Sequence, residues 1–146
     1  LILDVEDELK PMLKEGQSFT ADLDAASGFY SDKRLLKHIL INLFSNAIKF
    51  SDSGKSIQVR AVVNNQQLQL VVKDEGIGIA PEDQQFLFDS FFRARNAFNI
   101  QGTGLGLHIV KRYISLLNGD IKVESVLHKG TTFRITIPEG NPASGN

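Results

Sequence analysis

Cysteine is absent from the 146 residues, which excludes disulfide bonds and thiolate metal sites and fits a reducing compartment. No apolar run approaches the roughly 20 residues that a membrane helix needs, and no signal peptide opens the chain, so the ordered part is predicted to be soluble. Charge of one sign is also lacking: 16 Lys and Arg against 17 Asp and Glu leave a formal net charge of -1. No global field therefore attracts nucleic acid or an anionic membrane, and any anion site must be local.

The chain has the size and the 42% hydrophobic content of one ordinary domain. It starts at Leu1 rather than Met, which predicts a piece of a longer protein. We expect a domain over residues 1–138 and a flexible tail over 139–146, where the sequence reads "EGNPASGN".

Periodicity predicts strands in hairpins with helices clustered between them. Apolar spacing predicts a helix over residues 1–16, with Pro11 as a potential kink, and a long helix from Asp32 to Phe50 with Ser31 as N-cap. "QSFTADL" predicts a strand, and hairpins are predicted at Ile57–Val63 with Leu68–Val72 and at "DIKVESV" with "TTFRITI". Helical signal is weak at "PEDQQFLF" and strong at "GLGLHIVKRYISLLN". The order favours an α+β two-layer sandwich, a mixed and mostly antiparallel sheet covered on one face by about three helices.

The long helix carries a polar stripe beside its apolar face. At about 100° per residue, His38, Asn42, Asn46 and Lys49 fall on one side. A solvated helix face is one explanation. The other is a cleft in which an amide oxygen serves as a hard ligand for Mg²⁺ and Lys49 meets phosphate.

Two glycine-rich stretches frame a phenylalanine-rich one. "VVKDEGIGIAPED" delivers Asp74 into a turn with Gly76 and Gly78; this is either an ordinary strand exit or a site where Asp74 accepts a hydrogen bond from an exocyclic amine. "IQGTGLGLHIV" sets Gly102, Gly104 and Gly106 before a helix, as a tight turn or as a phosphate site at the helix N-terminus.

Between the two lies "FLFDSFFRARNAFNIQG". Its aromatic residues form either a satellite hydrophobic cluster or the anchors of a lid that brings arginines over phosphate; they are Phe86, Phe88, Phe91, Phe92 and Phe98.

The order of "NLFSNAIKF", "DEGIGI", "FDSFFR" and "GTGLGL" resembles the ATP-binding catalytic domain of sensor histidine kinases. This domain belongs to the superfamily shared with gyrase B, the mismatch-repair ATPases and a heat-shock chaperone (Bergerat-type fold). The resemblance runs from about Asp32 to Ile137 and implies ATP and Mg²⁺ as ligands.

The resemblance also implies roles for single residues. Asn46 would ligate Mg²⁺, Asn42 would lie near the phosphates, and Lys49 would contact phosphate. Phe50 would stack on adenine and Asp74 would hold its amino group, in a pocket shaped by Gly76, Gly78 and Ile79. Residues 89–103 would form the ATP lid, anchored by Phe91 and Phe92, with Arg93 or Arg95 reaching the γ-phosphate. The phosphate-binding turn and helix start would comprise Gly102, Thr103, Gly104, Leu105 and Gly106.

This sequence departs from the family pattern at Gln101, where a glycine pair commonly begins. None of His38, His108 and His128 sits in the setting of a phosphoacceptor histidine, so we expect the acceptor to lie on a separate helical dimerisation domain. The resemblance further implies a homodimeric parent, whether a membrane receptor or a soluble kinase, a cytoplasmic location for this domain, and a response regulator receiver domain as partner. We expect neither nucleic acid nor direct membrane contact, and little autokinase activity from the chain alone.

Two alternatives stay open. A chaperone-like or topoisomerase-like ATPase would need a catalytic glutamate near Asn46, where the stripe instead offers His38, Asn42 and Ser45. A serine kinase of the anti-sigma class, or a domain that only senses nucleotide, would lack an upstream histidine domain.

Overall fold

The computed structural model describes residues 1–24, 29, 31–88 and 106–140. Helix α1 spans Ile2–Leu9 and is followed by a 3-10 turn at Lys10–Met12; α2 spans Lys33–Phe50, α3 Pro81–Gln84 and α4 Gly106–Leu116. The strands are β1 (Ser18–Asp24), β2 (Ser56–Asn64), β3 (Gln67–Asp74), β4 (Asp120–Val126) and β5 (Gly130–Pro138).

The strands form one mixed sheet in the order β1-β2-β3-β5-β4. β1 runs parallel to β2, and α2 makes the crossover between them, as parallel neighbours require. The other neighbours are antiparallel. The β2–β3 turn places Asn65 and Gln66 at φ of 53° and 62°, the left-handed values of a two-residue hairpin turn. The predicted α+β sandwich and both predicted hairpins are confirmed.

The core lies between the sheet and α1, α2 and α4. Alternation along the strands points Ile57, Val59 and Ala61 of β2 inward, together with Leu70 and Val72 of β3. From α2, the fully buried Phe44 packs against Phe19 of β1 with ring centroids 5.5 Å apart. Removing a buried phenylalanine ring of this kind costs about 3–5 kcal/mol.

The same alternation puts two polar residues on the core face at one end of the sheet. Asp74 follows Leu70 and Val72 at two-residue steps, and Thr131 precedes Phe133 in the same way. Both are buried, and they are register partners across β3 and β5. The candidate site lies at this end of the sheet, beside Asp74 and Thr131.

Three local predictions need correction. The N-cap of α2 is Asp32 rather than Ser31, because Asp32 Oδ1 accepts hydrogen bonds from the N–H groups of Arg34 (2.9 Å) and Leu35 (3.3 Å).

The N-terminal helix ends at Leu9, since proline suits the first turn of a new helical segment and not a helix interior; Pro11 accordingly lies in the 3-10 turn. Of the weak helical signal in "PEDQQFLF", only one turn is helical, Pro81–Gln84.

No helix in the described part of the chain is long and apolar enough to cross a membrane. The predicted tail lies partly outside the described residues, which end at 140.

Candidate functional site

The two asparagines of the polar stripe on α2 face the start of α4. Asn42, Asn46 and Lys49 are half-buried. A methyl group built on Gly106, the first residue of α4, would lie 3.3 Å from Asn42 Oδ1 and 3.7 Å from Asn46 Nδ2. The structure therefore brings together the asparagines and the last of the predicted glycines, with little space for a side chain between them.

His38 lies at the outer end of the stripe. It is exposed, and its ring meets Tyr113 of α4 edge-on, with centroids 5.8 Å apart. The Asn42 Nδ2 group donates to the His38 carbonyl oxygen at 2.8 Å, so this amide nitrogen is used within the helix. Asn42 Oδ1 is the end of the amide that approaches Gly106.

Asp74 ends β3 as a buried carboxyl group. Its Oδ1 accepts a hydrogen bond from the Gly76 N–H at 3.0 Å. Burial raises the pKa of Asp74 to about 6, against the opposing effect of backbone hydrogen bonds from Gly76 and Thr131. At pH 7 the carboxylate is mostly ionised and acts as a hydrogen-bond acceptor only.

The loop after Asp74 is wedged between two other backbone segments. A methyl group on Gly76 would lie 1.9 Å from the carbonyl oxygen of Phe50, and one on Gly78 would lie 2.1 Å from that of Val126. Gly78 also has a φ of +69°. Both positions need glycine, because any side chain would overlap main-chain atoms.

Hydrogen bonds from polar side chains that the sequence did not single out also hold the loop after Asp74. Ser125 Oγ accepts a hydrogen bond from the Ile79 N–H at 2.8 Å and lies 2.8 Å from Thr131 Oγ1. Gln84 Nε2 donates to the Ile79 carbonyl oxygen at 2.9 Å. The sequence does show small hydroxyl residues on both sides of "HKG" in the predicted hairpin. Their contacts with the loop follow only from the strand register, which the sequence does not give.

Many residues of the predicted lid and of the predicted phosphate-binding turn fall outside the described part of the chain. These are Phe91, Phe92, Arg93, Arg95, Phe98, Gln101, Gly102, Thr103, Gly104 and Leu105. The two described segments that flank residues 89–105 are tied together, because His108 Nδ1 of α4 donates to the Phe88 carbonyl oxygen at 3.1 Å.

A metal ion would find few charged ligands here. Within residues 1–24, 29, 31–88 and 106–140, no group of three or more His, Cys, Asp or Glu side chains is placed to hold one. The Asn46 amide oxygen suits Mg²⁺, which accepts few protein ligands and completes its shell with water and phosphate oxygens. The donor set thus fits a metal that arrives with a phosphorylated ligand.

An apolar cavity of about 720 Å³ lies elsewhere, between α1, the first half of α2 and the sheet. Leu1, Leu36 and Leu68 are among the residues that line it, and none of the predicted site residues does.

Comparison with known proteins gives the class. Residues 31–141 match the family described as "Histidine kinase-, DNA gyrase B-, and HSP90-like ATPase". The chain belongs to this family, and the relatives identify it as an ATP-binding catalytic domain of the sensor histidine kinase type.

Two curated relatives and one solved structure illustrate the likeness. The chain is 42% identical to an uncharacterized sensor-like histidine kinase of Rhizobium meliloti over 117 residues, which are 79% of this chain and 22% of that protein. It is 38% identical to the histidine protein kinase SaeS of Staphylococcus aureus over 124 residues, 82% of this chain and 34% of that one. The mycobacterial sensor histidine kinase MprB superposes with a TM-score of 0.81 at 26% identity, covering 94% of this chain and 91% of that one. The chain thus spans about a third or less of the curated relatives' length.

Proposed function

We propose that this domain binds Mg·ATP and delivers the γ-phosphate to a histidine on a separate helical dimerisation domain of the same parent protein. The observation that carries the proposal is the double role of α2. Its last residue, Phe50, abuts Gly76 beside the buried Asp74, while Asn42 and Asn46 abut Gly106. One rigid helix therefore holds a candidate base pocket and a candidate phosphate site, about 6 Å apart along its axis.

Asp74 would recognise the adenine ring of the nucleotide. Its carboxylate accepts a hydrogen bond from the exocyclic amino group, and the backbone of Gly76, Gly78 and Ile79 gives a flat ligand close access. Phe50 supplies a ring against the base.

The phosphate end would be held by α2 and the start of α4. Asn46 ligates Mg²⁺, Asn42 lies beside it, and Lys49 contacts phosphate. Gly102, Thr103, Gly104, Leu105 and Gly106 supply N–H groups at the helix N-terminus. Mg²⁺, when bound, neutralises charge on the phosphates.

The lid completes the site in this proposal. Phe91 and Phe92 anchor it, and Arg93 or Arg95 reaches the γ-phosphate. Phosphoryl transfer needs mainly positioning and charge neutralisation from a protein, so these groups suffice on the ATP side, while the nucleophile comes from the partner domain.

The composition of α2 argues against a water-activating ATPase. Its 18 residues, "KRLLKHILINLFSNAIKF", include no aspartate or glutamate. No residue of this helix can therefore serve as the carboxylate base that activates water.

Calorimetric titration with a non-hydrolysable ATP analogue, with and without Mg²⁺, tests the assignment. Asp74→Asn should weaken binding by roughly 10- to 100-fold in both titrations, as expected for loss of a hydrogen bond to a charged group. Asn46→Ala should remove the metal-dependent part only. Glu75→Gln, which neutralises the exposed neighbouring carboxylate, is the matched control and should bind like the parent chain. Unchanged affinity in both site variants would refute the assignment.

The same proposal includes the surroundings of the domain. The parent is a homodimer in the cytoplasm, membrane-anchored or not, and passes phosphate to a response regulator receiver domain. The chain alone should bind nucleotide but incorporate almost no label from γ-labelled ATP, whereas adding the parent's helical domain should restore labelling on that domain.

A further inference from the structure

The last turn of α2 bears Lys49 and Phe50, and its carbonyl groups lack partners within the helix. Two of them are satisfied by main-chain donors. The Ala47 carbonyl oxygen accepts from the Ser51 N–H at 3.0 Å, and that of Phe50 accepts from the Ile77 N–H at 3.1 Å.

The remaining two are satisfied by side chains from the loop between α1 and β1. Gln17 Nε2 donates to the Ile48 carbonyl oxygen at 3.2 Å, and Lys14 Nζ donates to that of Lys49 at 2.9 Å. Both side chains also reach the carbonyl oxygen of Ser51, at 3.2 Å and 2.6 Å respectively. Every carbonyl of the last turn thus has a donor, and two of the four donors come from a segment more than 30 residues upstream.

Gln17 is buried at the junction between the α1–β1 loop and the last turn of α2. Only 7% of its surface is exposed. Its Oε1 accepts from the Lys14 N–H at 2.8 Å, while Nε2 also lies 3.4 Å from the Asp52 carbonyl oxygen. Both ends of the amide are used, so the loop and the helix end constrain each other's geometry.

Backbone contacts reinforce the junction. The Gly54 N–H donates to the Glu15 carbonyl oxygen at 2.9 Å, and a methyl group on Gly16 would lie 3.0 Å from the Gly54 Cα. The ammonium group of Lys14 also lies at the negative end of the α2 dipole, where a cation is stabilising.

We propose that Lys14 and Gln17 are positioning residues for nucleotide binding, a role that rests on the proposed function. They fix the last turn of α2 at the Ile48 and Lys49 carbonyl groups, and through it the direction of the Lys49 side chain. Because the 3-10 turn joins their loop directly to α1, the pair also couples the position of α1 to the nucleotide site.

The test compares Lys14→Met and Gln17→Leu with the parent chain by calorimetric titration of a non-hydrolysable Mg·ATP analogue, below the onset of thermal unfolding. Each variant should bind about tenfold more weakly, since each loses a hydrogen bond that orients contact residues. Lys14→Arg keeps a charged donor and should restore most of the affinity.

Lys37→Met is the matched control. Lys37 Nζ lies 3.1 Å from Glu8 Oε1, so this variant also removes one cation that contacts another segment, but far from the last turn of α2. Its nucleotide affinity should equal that of the parent chain.

A second measurement separates positioning from general destabilisation. If Lys14 acts through Lys49, Lys14→Met should change affinity by less than about twofold in a Lys49→Ala background, because coupled residues are not additive. A lowered melting temperature with unchanged affinity at both positions would overturn the proposal, as would a full tenfold loss in the Lys49→Ala background. Should Gln17→Leu not fold, the exposed Lys14 carries the test alone. Absence of nucleotide binding by the parent chain would instead refute the proposed function.

Discussion

The Ile77 N–H donates a hydrogen bond of 3.1 Å to the carbonyl oxygen of Phe50, so the loop after β3 is attached to the last residue of α2. Ser51 and Gly76 form an isolated bridge beside it. The two residues proposed to contact adenine, Phe50 and Asp74, belong to the segments that this contact joins. Displacing one segment should therefore displace the other.

Replacing Gly76 tests how close that contact is. In Gly76→Ala the added methyl would lie 1.9 Å from the Phe50 carbonyl oxygen. Moving either main chain would strain the hydrogen bonds from the Ile77 N–H to Phe50 and from the Gly76 N–H to Asp74. We expect a loss of about 3 kcal/mol in the free energy of unfolding, measured by urea denaturation. Gly54→Ala is the control: its φ of +80° costs about 1–2 kcal/mol, but nothing lies within 4 Å. Equal losses in the two variants would show that the close approach is not responsible.

The buried Asp74 carboxyl should make stability fall as the pH rises. Its pKa is raised from 3.8 to about 6 by burial, so folding takes up a proton between these values. The stabilisation is fully present below pH 3.8 and is lost as the pH passes through 6, for a total of about 3 kcal/mol.

Asp74→Asn removes this titration. The difference in stability between the variant and the parent chain therefore gives the contribution of Asp74 without that of the other acids. The unfolding free energy of the variant minus that of the parent chain should rise by about 3 kcal/mol between pH 3.5 and pH 7.5. The variant would then be relatively more stable at neutral pH while binding nucleotide worse. A difference that stays flat with pH would mean that burial does not perturb this carboxyl.

The N-cap of α2 offers a paired test of two adjacent residues. Asp32→Ala removes the acceptor for the N–H groups of Arg34 and Leu35 and should cost about 1 kcal/mol in thermal or urea unfolding. Ser31→Ala should change stability by less than about 0.5 kcal/mol, as a surface substitution away from the cap does. The reverse order would favour the sequence-based choice of Ser31.

Periodic features of this chain could be predicted from its sequence. The hairpins and α2 follow from alternating and helical spacing, since an apolar face must be buried whatever its partner. Asp74 could be singled out only through the order of the four motifs, because a carboxyl group between a strand and two glycines is by itself typical of an ordinary strand exit. Its partner Thr131 could not, because the pairing depends on β5 lying beside β3, a register that no local pattern encodes.

Contacts made by long polar side chains across sequence distance were beyond prediction. Lys14 and Gln17 look like ordinary surface residues of a loop, and their role appears only when that loop is placed at the end of α2. Ser31 and Asp32 are both good cap residues, so composition alone could not choose between them. In each case the deciding factor is the path of the backbone.

Ser125 should support the glycine loop through a single hydroxyl group. Its Oγ accepts from the Ile79 N–H at 2.8 Å and donates to the Gly130 carbonyl oxygen at 2.9 Å. Ser125→Ala leaves that N–H without its acceptor and should cost about 1–3 kcal/mol in unfolding free energy. The same substitution should accelerate amide hydrogen exchange at Ile79. Ser115→Ala, which loses an exposed bond of 2.9 Å to the Lys111 carbonyl oxygen, should cost less than about 0.5 kcal/mol and leave exchange at Ile79 unchanged. If both variants protect the Ile79 amide equally well, the hydroxyl of Ser125 does not hold the loop.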